Sequence, residues 1–484
     1  MSEIKNLEPK QLWENFDMLC SNPRPSKHEE KVRAAIVSYA EQHNIACTID
    51  SIGNIILKVP ATKGMENRKG VILQAHVDMV PQKNADTNHD FLTDPIQAYI
   101  DGDWVRAKGT TLGADNGIGV SAALAAMTDP TLAHGPLEAL LTIDEETGMT
   151  GAFGLKAGEL EGEILLNLDS ETEGELYVGC AGGVDATIEI EYKTENIPAG
   201  RTSYVLAVNG FKGGHSGMDI ILQRGNANKT LFRILKALLA VDVRLCNVDG
   251  GNMRNAIPRE AKAIISLPTE KVAEAKQIVE TLYAQIKNEL SAVEDSFNIT
   301  LEATANPSAM LQNFCSTKLI NTINALPNGV YRMSDSMPNL VETSSNLAIV
   351  KTEDHKLTAC CLIRSSVDSQ KQDFSDTLHS LISVACGEIT FSGAYSGWKP
   401  NMDSPILKTM CEGYKTLFNK EAKIMAIHAG LECGVLGGTY KNWDMISFGP
   451  TIEHPHSPDE RVNIPSVQKF YNFLTYTLST IPEK

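Results

Sequence analysis

Short apolar runs that alternate with helical patterns fill the first 170 residues, and this alternation constrains the fold most strongly. The runs 71–75, 137–143 and 163–168 have the length and composition of buried strands. Between the first two, residues 117–127 form a pattern of small residues that is typical of a helix packed closely on a sheet. The alternation predicts an α/β fold with a mostly parallel sheet that helices cover on both faces.

The pattern changes after Gly183. Strand patterns at 184–192, 203–208 and 261–267 and helical patterns at 228–239 and 272–290 predict an α+β domain whose sheet has one exposed face. A segment near 392–400 that contains Gly and Pro indicates a return to the first domain. We therefore predict that residues 1–184 and 396–484 form one domain, into which residues 185–395 are inserted as a second.

Composition narrows the class of protein. A chain of 484 residues is longer than one hydrophobic core usually supports, in agreement with two domains. The net charge of −17 argues against nucleic acid or an anionic membrane as a partner. The start of the sequence lacks the pattern of a signal peptide. No apolar stretch of about 20 residues, as a membrane-spanning helix needs, occurs. The ten cysteines form no CxxC pair. These features predict a cytoplasmic protein with reduced thiols.

Metal-competent side chains stand where the predicted strands end or where the helix at 117 begins. They are His76, Asp78, Asp115, Glu145, Glu146 and Asp169. Because sites in open parallel sheets form outside the carboxyl ends of the strands, we expect these side chains to lie together. Singly, each has an ordinary structural explanation: Asp115 could cap a helix, and Glu145 and Glu146 could be a solvated turn.

A cluster of four or five carboxylates is strongly unfavourable unless cations neutralise it. Imidazole and carboxylate ligands suit zinc, manganese or cobalt, whereas the scattered cysteines offer no thiolate site. The sequence has no HExxH, P-loop or GxSxG motif, so single-zinc, phosphate-binding and serine-nucleophile explanations lack support.

Four motifs in this chain resemble the metal-binding motifs of the M20 metallopeptidases. They are His76-Val-Asp-Met, Gly113-Ala-Asp-Asn-Gly, Asp144-Glu-Glu-Thr-Gly and Asn167-Leu-Asp. The longer strings around His76, Thr110 and Asn255 resemble the dipeptidases of that family, and the resemblance extends over essentially the whole chain. It implies a catalytic domain with an inserted α+β lid domain.

The resemblance also implies the ligands of two divalent metal ions, zinc first, with manganese or cobalt as alternatives. Asp115 would bridge the ions, with His76 and Asp169 on one, and Glu146 and His456 on the other. His454 competes with His456, and His456 is preferred because His456-Ser-Pro-Asp-Glu resembles the final histidine motif of the family.

Catalytic roles carried over from the family fall on Asp78 and Glu145. Asp78 would orient the His76 ring and raise its basicity, and Glu145 would be the general base. In the lid, His215 would stabilise the oxyanion, Asn255 and Arg364 would hold the substrate carboxylate, and Gly430 would line the pocket. His428 and Glu432 have no assigned role.

The implied activity is hydrolysis of unblocked dipeptides, including Xaa-His dipeptides such as β-alanyl-histidine, by an enzyme that could be a homodimer. One alternative is a related N-acyl amino acid deacylase, which would prefer acylated substrates. Another is a non-catalytic metal- or ligand-binding protein on the same scaffold, which would have no need of an unligated base such as Glu145.

Overall fold

The computed structural model describes residues 3–484; residues 1–2, on which the expectation of no leader partly rests, lie outside this range. The chain divides into two compact units. The first comprises the chain up to Gly179, Pro400–Ala426 and Leu431–Lys484, and the second comprises Cys180–Lys399 and Ile427–Gly430. The sequence placed the boundaries after residues 184 and 395, and it did not anticipate the four-residue segment of the second unit at Ile427–Gly430.

An eight-stranded sheet forms the centre of the first unit. In spatial order its strands are Ala46–Ile49, Ile55–Val59, Leu137–Thr142, Val71–His76, Ile164–Asn167, Asp444–Ser447, Glu175–Cys180 and Lys423–Ile427. The four strands from Leu137–Thr142 to Asp444–Ser447 are parallel. Antiparallel strands flank them. The predicted α/β class is confirmed, and the three predicted strands lie side by side.

The parallel strands Val71–His76, Leu137–Thr142 and Ile164–Asn167 are buried along their whole length, which explains their continuous apolar runs. The helix Ala114–Thr128 packs against this sheet, and its alanines and glycines allow a close approach. The other helices of the unit are Lys10–Ser21, Glu30–Gln42, Glu145–Gly148, Thr150–Gly154, Pro405–Phe418, Glu432–Thr439 and Ile464–Thr480. A four-stranded sheet contains Ile452–Glu453, Arg461–Asn463, Trp104–Ala107 and Ala98–Asp101.

The spacing of Ser26 and Glu29 predicts a capping box at the start of a helix, and this prediction is wrong. The helix begins at Glu30, and no side-chain cap bond forms at Glu29 among the described residues. The Ser26 hydroxyl instead donates to Asp78 Oδ2 at 2.7 Å, and Glu29 Oε1 accepts from the backbone N–H of Asp144 at 3.1 Å. Tertiary partners have therefore replaced the local capping pattern.

The second unit is built on a nine-stranded antiparallel sheet. Its strands are Asn298–Thr304, Arg201–Asn209, Ala261–Pro268, Arg244–Gly250, Val341–Glu353, Lys356–Ser365, Gly182–Glu191 and Glu388–Tyr395, with Gly329–Met333 paired to Val341–Glu353. Two-stranded pairs join Thr194–Glu195 to Met310–Leu311 and Gly214–His215 to Ala256–Ile257. Its helices are Ala227–Leu238, Val272–Glu289, Asn313–Ala325 and Asp368–Val384.

Burial alternates along the strand Gly182–Glu191, as expected for a sheet that packs one face on a core and leaves the other more exposed. The helix Ala227–Leu238 contributes Leu231, Phe232 and Leu235 to that core. The α+β character predicted for this part of the chain agrees with this arrangement. No helix between residues 3 and 484 combines the length and apolar character needed to cross a membrane.

Candidate metal centre and active site

The predicted ligands of the first unit meet at one edge of the parallel sheet. His76 is the last residue of its strand, Glu145 and Glu146 follow the strand Leu137–Thr142, and Asp169 follows the strand Ile164–Asn167. These strands are adjacent and parallel, so their carboxyl ends lie side by side. The strand order explains why positions far apart in the chain converge.

One group of potential ligands consists of His76, Asp115 and Asp169. His76 Nε2 lies 3.1 Å from Asp115 Oδ1 and 3.3 Å from Asp169 Oδ1. One ligand atom from each residue lies within 4.8 Å of the other two, so all three can contact a single ion. His76 is 1% exposed, which excludes competing bulk water from most of its surface.

A second group consists of Asp115, Glu146 and His456. His456 Nε2 lies 3.1 Å from Asp115 Oδ2 and 3.1 Å from Glu146 Oε2. None of the metal-competent groups found among residues 3–484 contains His454, the competing histidine of the same segment. Asp115 belongs to both groups and presents one carboxylate oxygen to each, which is the geometry of a bridging ligand.

The residues present fit bound cations. The buried oxygen Glu146 Oε1 has no hydrogen-bond partner within the described part of the chain. Such atoms are costly unless a ligand or ion satisfies them. Asp115 and then Glu146 raise the pKa of His456 to about 11, so the surrounding carboxylates strongly favour positive charge at this place. His76, Glu145 and Glu146 form a third possible metal-binding group. Geometry alone therefore does not distinguish Glu145 as a general base from Glu145 as a metal ligand.

Asp78 orients two parts of the site at once. Its Oδ1 lies 3.3 Å from His76 Nδ1 and accepts the backbone N–H of Glu145 at 3.0 Å. Its Oδ2 accepts the N–H of Glu146 at 3.2 Å and the hydroxyl of Ser26. Burial opposes ionisation of Asp78, but its hydrogen bonds, above all with His76, lower its pKa to about 2. An ionised Asp78 fixes the His76 ring with Nε2 available for a metal.

Glu145 lies beside the ligands, half-buried in an acidic environment. Burial first, and the nearby carboxylates of Asp169 and Glu432, raise the pKa of Glu145 well above its ordinary value. A raised pKa increases the proton affinity that a general base needs. In this environment the carboxyl group of Glu145 binds a proton more readily than that of an exposed glutamate.

Glu432, which has no role assigned in the sequence analysis, is 1% exposed in the first unit. Its Oε2 accepts from Gln74 Nε2 at 2.6 Å and from Thr142 Oγ1 at 2.8 Å. Gln74 also accepts a hydrogen bond from Asn167 Nδ2. This network joins three parallel strands two to four residues before the ligands His76, Asp169 and Glu146. Only the polar residues inside the apolar strand runs could have indicated it.

In the second unit, the hydrogen bonds of His215 define its tautomer. His215 Nδ1 accepts the backbone N–H groups of Gly217 at 3.2 Å and Met218 at 3.1 Å. A neutral ring bonded in this way carries its proton on Nε2. Burial, and then the charge of Arg364, lower the pKa of His215, which favours the neutral form. His215 is therefore a neutral donor through Nε2.

Arg364 lies near His215 in the same unit and is 5% exposed. Its Nη1 donates to the Tyr395 hydroxyl at 3.0 Å, while its buried Nε has no hydrogen-bond partner among residues 3–484. A Cβ atom on Gly430 would lie 3.1 Å from the Tyr395 ring, so a side chain at Gly430 would crowd it. The free donor on Arg364 suits a carboxylate.

His428 and Asn255 complete this part of the second unit. His428 Nε2 lies 2.7 Å from Ser344 Oγ, and burial together with Arg364 lowers the pKa of His428 to about 3, so the ring is neutral. The carbonyl of Asn255 accepts the N–H of Ser216, next to His215, and its side chain is exposed. Sequence reasoning missed Tyr395 and Ser344, which no motif singles out.

Comparison with known proteins places these observations in a family. Residues 72–480 match the model of peptidase family M20/M25/M40. The chain is 49% identical to the cytosol non-specific dipeptidase of Escherichia coli (strain K12) over 485 aligned positions, which cover 100% of both proteins.

Solved structures agree with this assignment. The crystal structure of aminoacylhistidine dipeptidase from Vibrio alginolyticus has 50% identity and a TM-score of 0.97, covering 100% of this chain and 99% of that one. Aminopeptidase PepT from Bacillus cereus has 14% identity and a TM-score of 0.62, covering 98% of this chain and 99% of that one, and shares the fold. With a family match over most of its length and a relative of this identity along all of it, the chain belongs to peptidase family M20/M25/M40.

Proposed function

We propose that this metallopeptidase hydrolyses unblocked dipeptides, including Xaa-His dipeptides such as β-alanyl-histidine, with two divalent metal ions. The observation that carries the proposal is Asp115, whose two carboxylate oxygens face two separate ligand groups. Two relatives that match the chain along its whole length at about half identity carry the names cytosol non-specific dipeptidase and aminoacylhistidine dipeptidase. Their names support the substrate class.

Membership of this metallopeptidase family implies divalent metal ions. We propose that His76, Asp115 and Asp169 hold one ion and that Asp115, Glu146 and His456 hold the other. Zinc suits this set of imidazole and carboxylate ligands, with manganese or cobalt as alternatives. When bound, such ions polarise a carbonyl group and lower the pKa of a water molecule.

Glu145 is proposed to take the proton from the attacking water and to return it to the leaving amine. Its raised pKa allows it to hold that proton between the two steps. Asp78 supports Glu145 by accepting its backbone N–H, which fixes the start of the short helix Glu145–Gly148.

His215 is proposed to donate from Nε2 to the oxyanion that forms as the carbonyl is attacked. Its neutral ring with a fixed tautomer supports this role, because the donor needs no reorganisation during the reaction. Arg364 and Asn255 are proposed to bind the free carboxylate of the dipeptide, with Gly430 leaving room beside Tyr395. We further propose that the enzyme works in the cytoplasm and forms a homodimer.

A panel of substrates tests the proposal. The purified protein, assayed with Zn²⁺, Mn²⁺ and Co²⁺ in turn, should hydrolyse free dipeptides, cleave tripeptides more slowly and leave N-acetylated amino acids nearly untouched. Preference for N-acyl amino acids would instead indicate a deacylase. Failure to hydrolyse any of these substrates with any of the ions would indicate a non-catalytic binding protein.

A second experiment concerns the carboxylate contact. Amidating the C-terminus of a good dipeptide substrate should lower kcat/KM, because Arg364 would face an uncharged group. Losing a charge-assisted contact costs roughly 1.5–3 kcal/mol, or about ten- to a hundredfold in rate. Arg364→Ala should lower kcat/KM for the free acid by a similar factor and narrow its advantage over the amide.

Arg233→Ala provides the matched control for this measurement. Arg233 belongs to the second unit, as Arg364 does, and makes a bidentate contact with Glu289 on the surface, with N–O distances of 2.6 and 2.8 Å. Its removal should leave the preference for the free acid intact. Equal cleavage of acid and amide by the unmutated enzyme would contradict the proposed carboxylate contact.

A further inference from the structure

Glu460 makes an unusual set of hydrogen bonds in the first unit. It is 2% exposed, and its two carboxylate oxygens accept four consecutive backbone N–H groups. Oε2 accepts from Leu112 at 2.7 Å and Gly113 at 2.9 Å, and Oε1 accepts from Ala114 at 2.7 Å and Asp115 at 3.3 Å. The N–H groups of Ala114 and Asp115 belong to the first turn of the helix Ala114–Thr128, where such groups lack a partner within the helix, and Leu112 and Gly113 directly precede it. Glu460 therefore fixes the backbone at the residue proposed to bridge the metals.

Arg24 binds the same turn through a backbone carbonyl group. It is also 2% exposed. Its Nη1 donates to the carbonyls of Val77 and Asp78, each at 3.0 Å, and its Nη2 donates to the carbonyl of Gly113. Arg24 thus ties the segment that follows His76 to the turn that precedes Asp115.

Gly113 shows how closely this turn is packed. Its φ of +72° lies in the left-handed region, and a Cβ atom there would come within 2.5 Å of Arg24 Nη2. Asp115 itself has φ −80° and ψ 112°, outside the helical region, although it lies in the first turn of the helix. Local helix formation therefore does not set the direction of the Asp115 side chain. The contacts of Glu460 and Arg24 fix the backbone from which this side chain projects.

We propose that Glu460 and Arg24 are positioning residues that hold Asp115 in its bridging orientation and so set the affinity for the metal ions. The inference rests on the proposed function. Glu460 follows His456 by four positions, so one segment supplies a ligand and also anchors the bridging residue. This arrangement couples the two ligand groups through the backbone as well as through Asp115.

Glu460→Gln tests this coupling because the amide keeps the size of the side chain but has one acceptor oxygen instead of two. Two of the four N–H groups should lose their partner. Zn²⁺-loaded proteins are titrated with a chromophoric zinc chelator, and the dissociation constants follow from the competition curves. Loss of groups that support metal ligands typically weakens binding by about 10–100-fold. We expect such a weakening in Glu460→Gln, and excess Zn²⁺ should restore most of its dipeptidase activity.

Glu138→Gln is the matched control. Glu138 belongs to the same unit, is 6% exposed, and accepts the backbone N–H groups of Glu161 and Gly162 at 2.9 and 2.8 Å. It lies near the start of the strand Leu137–Thr142, at the end opposite the ligands. The same substitution there should lower thermal stability and leave zinc affinity unchanged.

The outcomes are distinct. A folded Glu460→Gln protein whose competition curve matches those of the wild type and Glu138→Gln overturns the inference and leaves the proposed function standing. A wild type that binds none of Zn²⁺, Mn²⁺ and Co²⁺ stoichiometrically overturns both. If Glu460→Gln does not fold, Arg24→Lys tests the inference instead. This variant loses the guanidinium donors to the three backbone carbonyls, while Glu460 keeps its four hydrogen bonds. Weakened zinc binding in Arg24→Lys supports the inference, and unchanged binding overturns it.

Discussion

Replacing Glu145 with alanine should lower kcat by ~10²–10⁴-fold, the usual contribution of a general base, while the protein keeps its metal ions. Glu146→Ala should instead lose metal, because Glu146 Oε2 lies 3.1 Å from His456 and belongs to the group that includes Asp115. Substitution of the two adjacent glutamates would then have different effects: loss of turnover at Glu145 and loss of metal at Glu146. Metal content by elemental analysis and steady-state kinetics, measured on the same preparations, separate the two.

Glu145→Gln refines this comparison. The glutamine keeps the volume of this half-buried side chain and the backbone N–H bond to Asp78, and removes only the ability to take a proton. Its kcat should fall as far as that of the alanine variant. Glu145 also lies within 4.8 Å of His76 and Glu146. A fall in metal content in either Glu145 variant would make it a ligand and contradict its role as the base.

Strand ends made the core of the site predictable. His76, Glu146 and Asp169 follow apolar runs whose burial could be read from the sequence, and parallel pairing then brings their ends together. The roles of Glu145 and Glu146 could not be separated in this way, because adjacent carboxylates have the same local pattern. Only the family resemblance distinguished them.

Residues that act on the backbone could not be predicted. Glu460 binds N–H groups more than 340 positions earlier in the chain, and any turn of suitable shape presents such groups whatever its side chains. Ser26 illustrates the opposite failure: its spacing to Glu29 matched a local capping pattern, yet its hydroxyl bonds to Asp78. Local patterns cannot reveal which tertiary partner will compete for a polar group.

The alternation of apolar and polar positions changes where the antiparallel sheet begins, and it predicted bounds after residues 184 and 395; the two compact units divide after Gly179 and Lys399. The segment Ile427–Gly430 is different. Four residues leave the first unit and return to it. They carry His428, whose ring contacts Ser344, and Gly430, which lies beside the Tyr395 ring. A segment of four residues is too short to produce a recognisable change in the composition or periodicity of the sequence.

Asp115→Ala should cause the largest loss of all, because Asp115 is the residue that the two proposed ion sites share. Each site would keep only two protein ligands from its group, and the surrounding carboxylates would lose the cations that offset their repulsion. We expect the wild type to hold two ions per chain, Asp169→Ala and Glu146→Ala to hold about one, and Asp115→Ala to hold close to none. Activity should follow metal content, falling below detection in Asp115→Ala, since without bound ions the pKa of water returns towards its bulk value of about 15.7.

The pattern of stoichiometry across these variants carries the test. Elemental analysis after gel filtration gives the ions per chain, and Asp103→Ala, an exposed aspartate of the same unit, controls for the loss of one negative charge. If Asp115 bridges, its removal must cost more metal than the removal of either terminal ligand. If Asp115→Ala still retained one tightly bound ion, Asp115 would serve a single site. The two ligand groups would then bind their ions independently. This result would contradict the shared carboxylate on which the proposed two-metal mechanism depends.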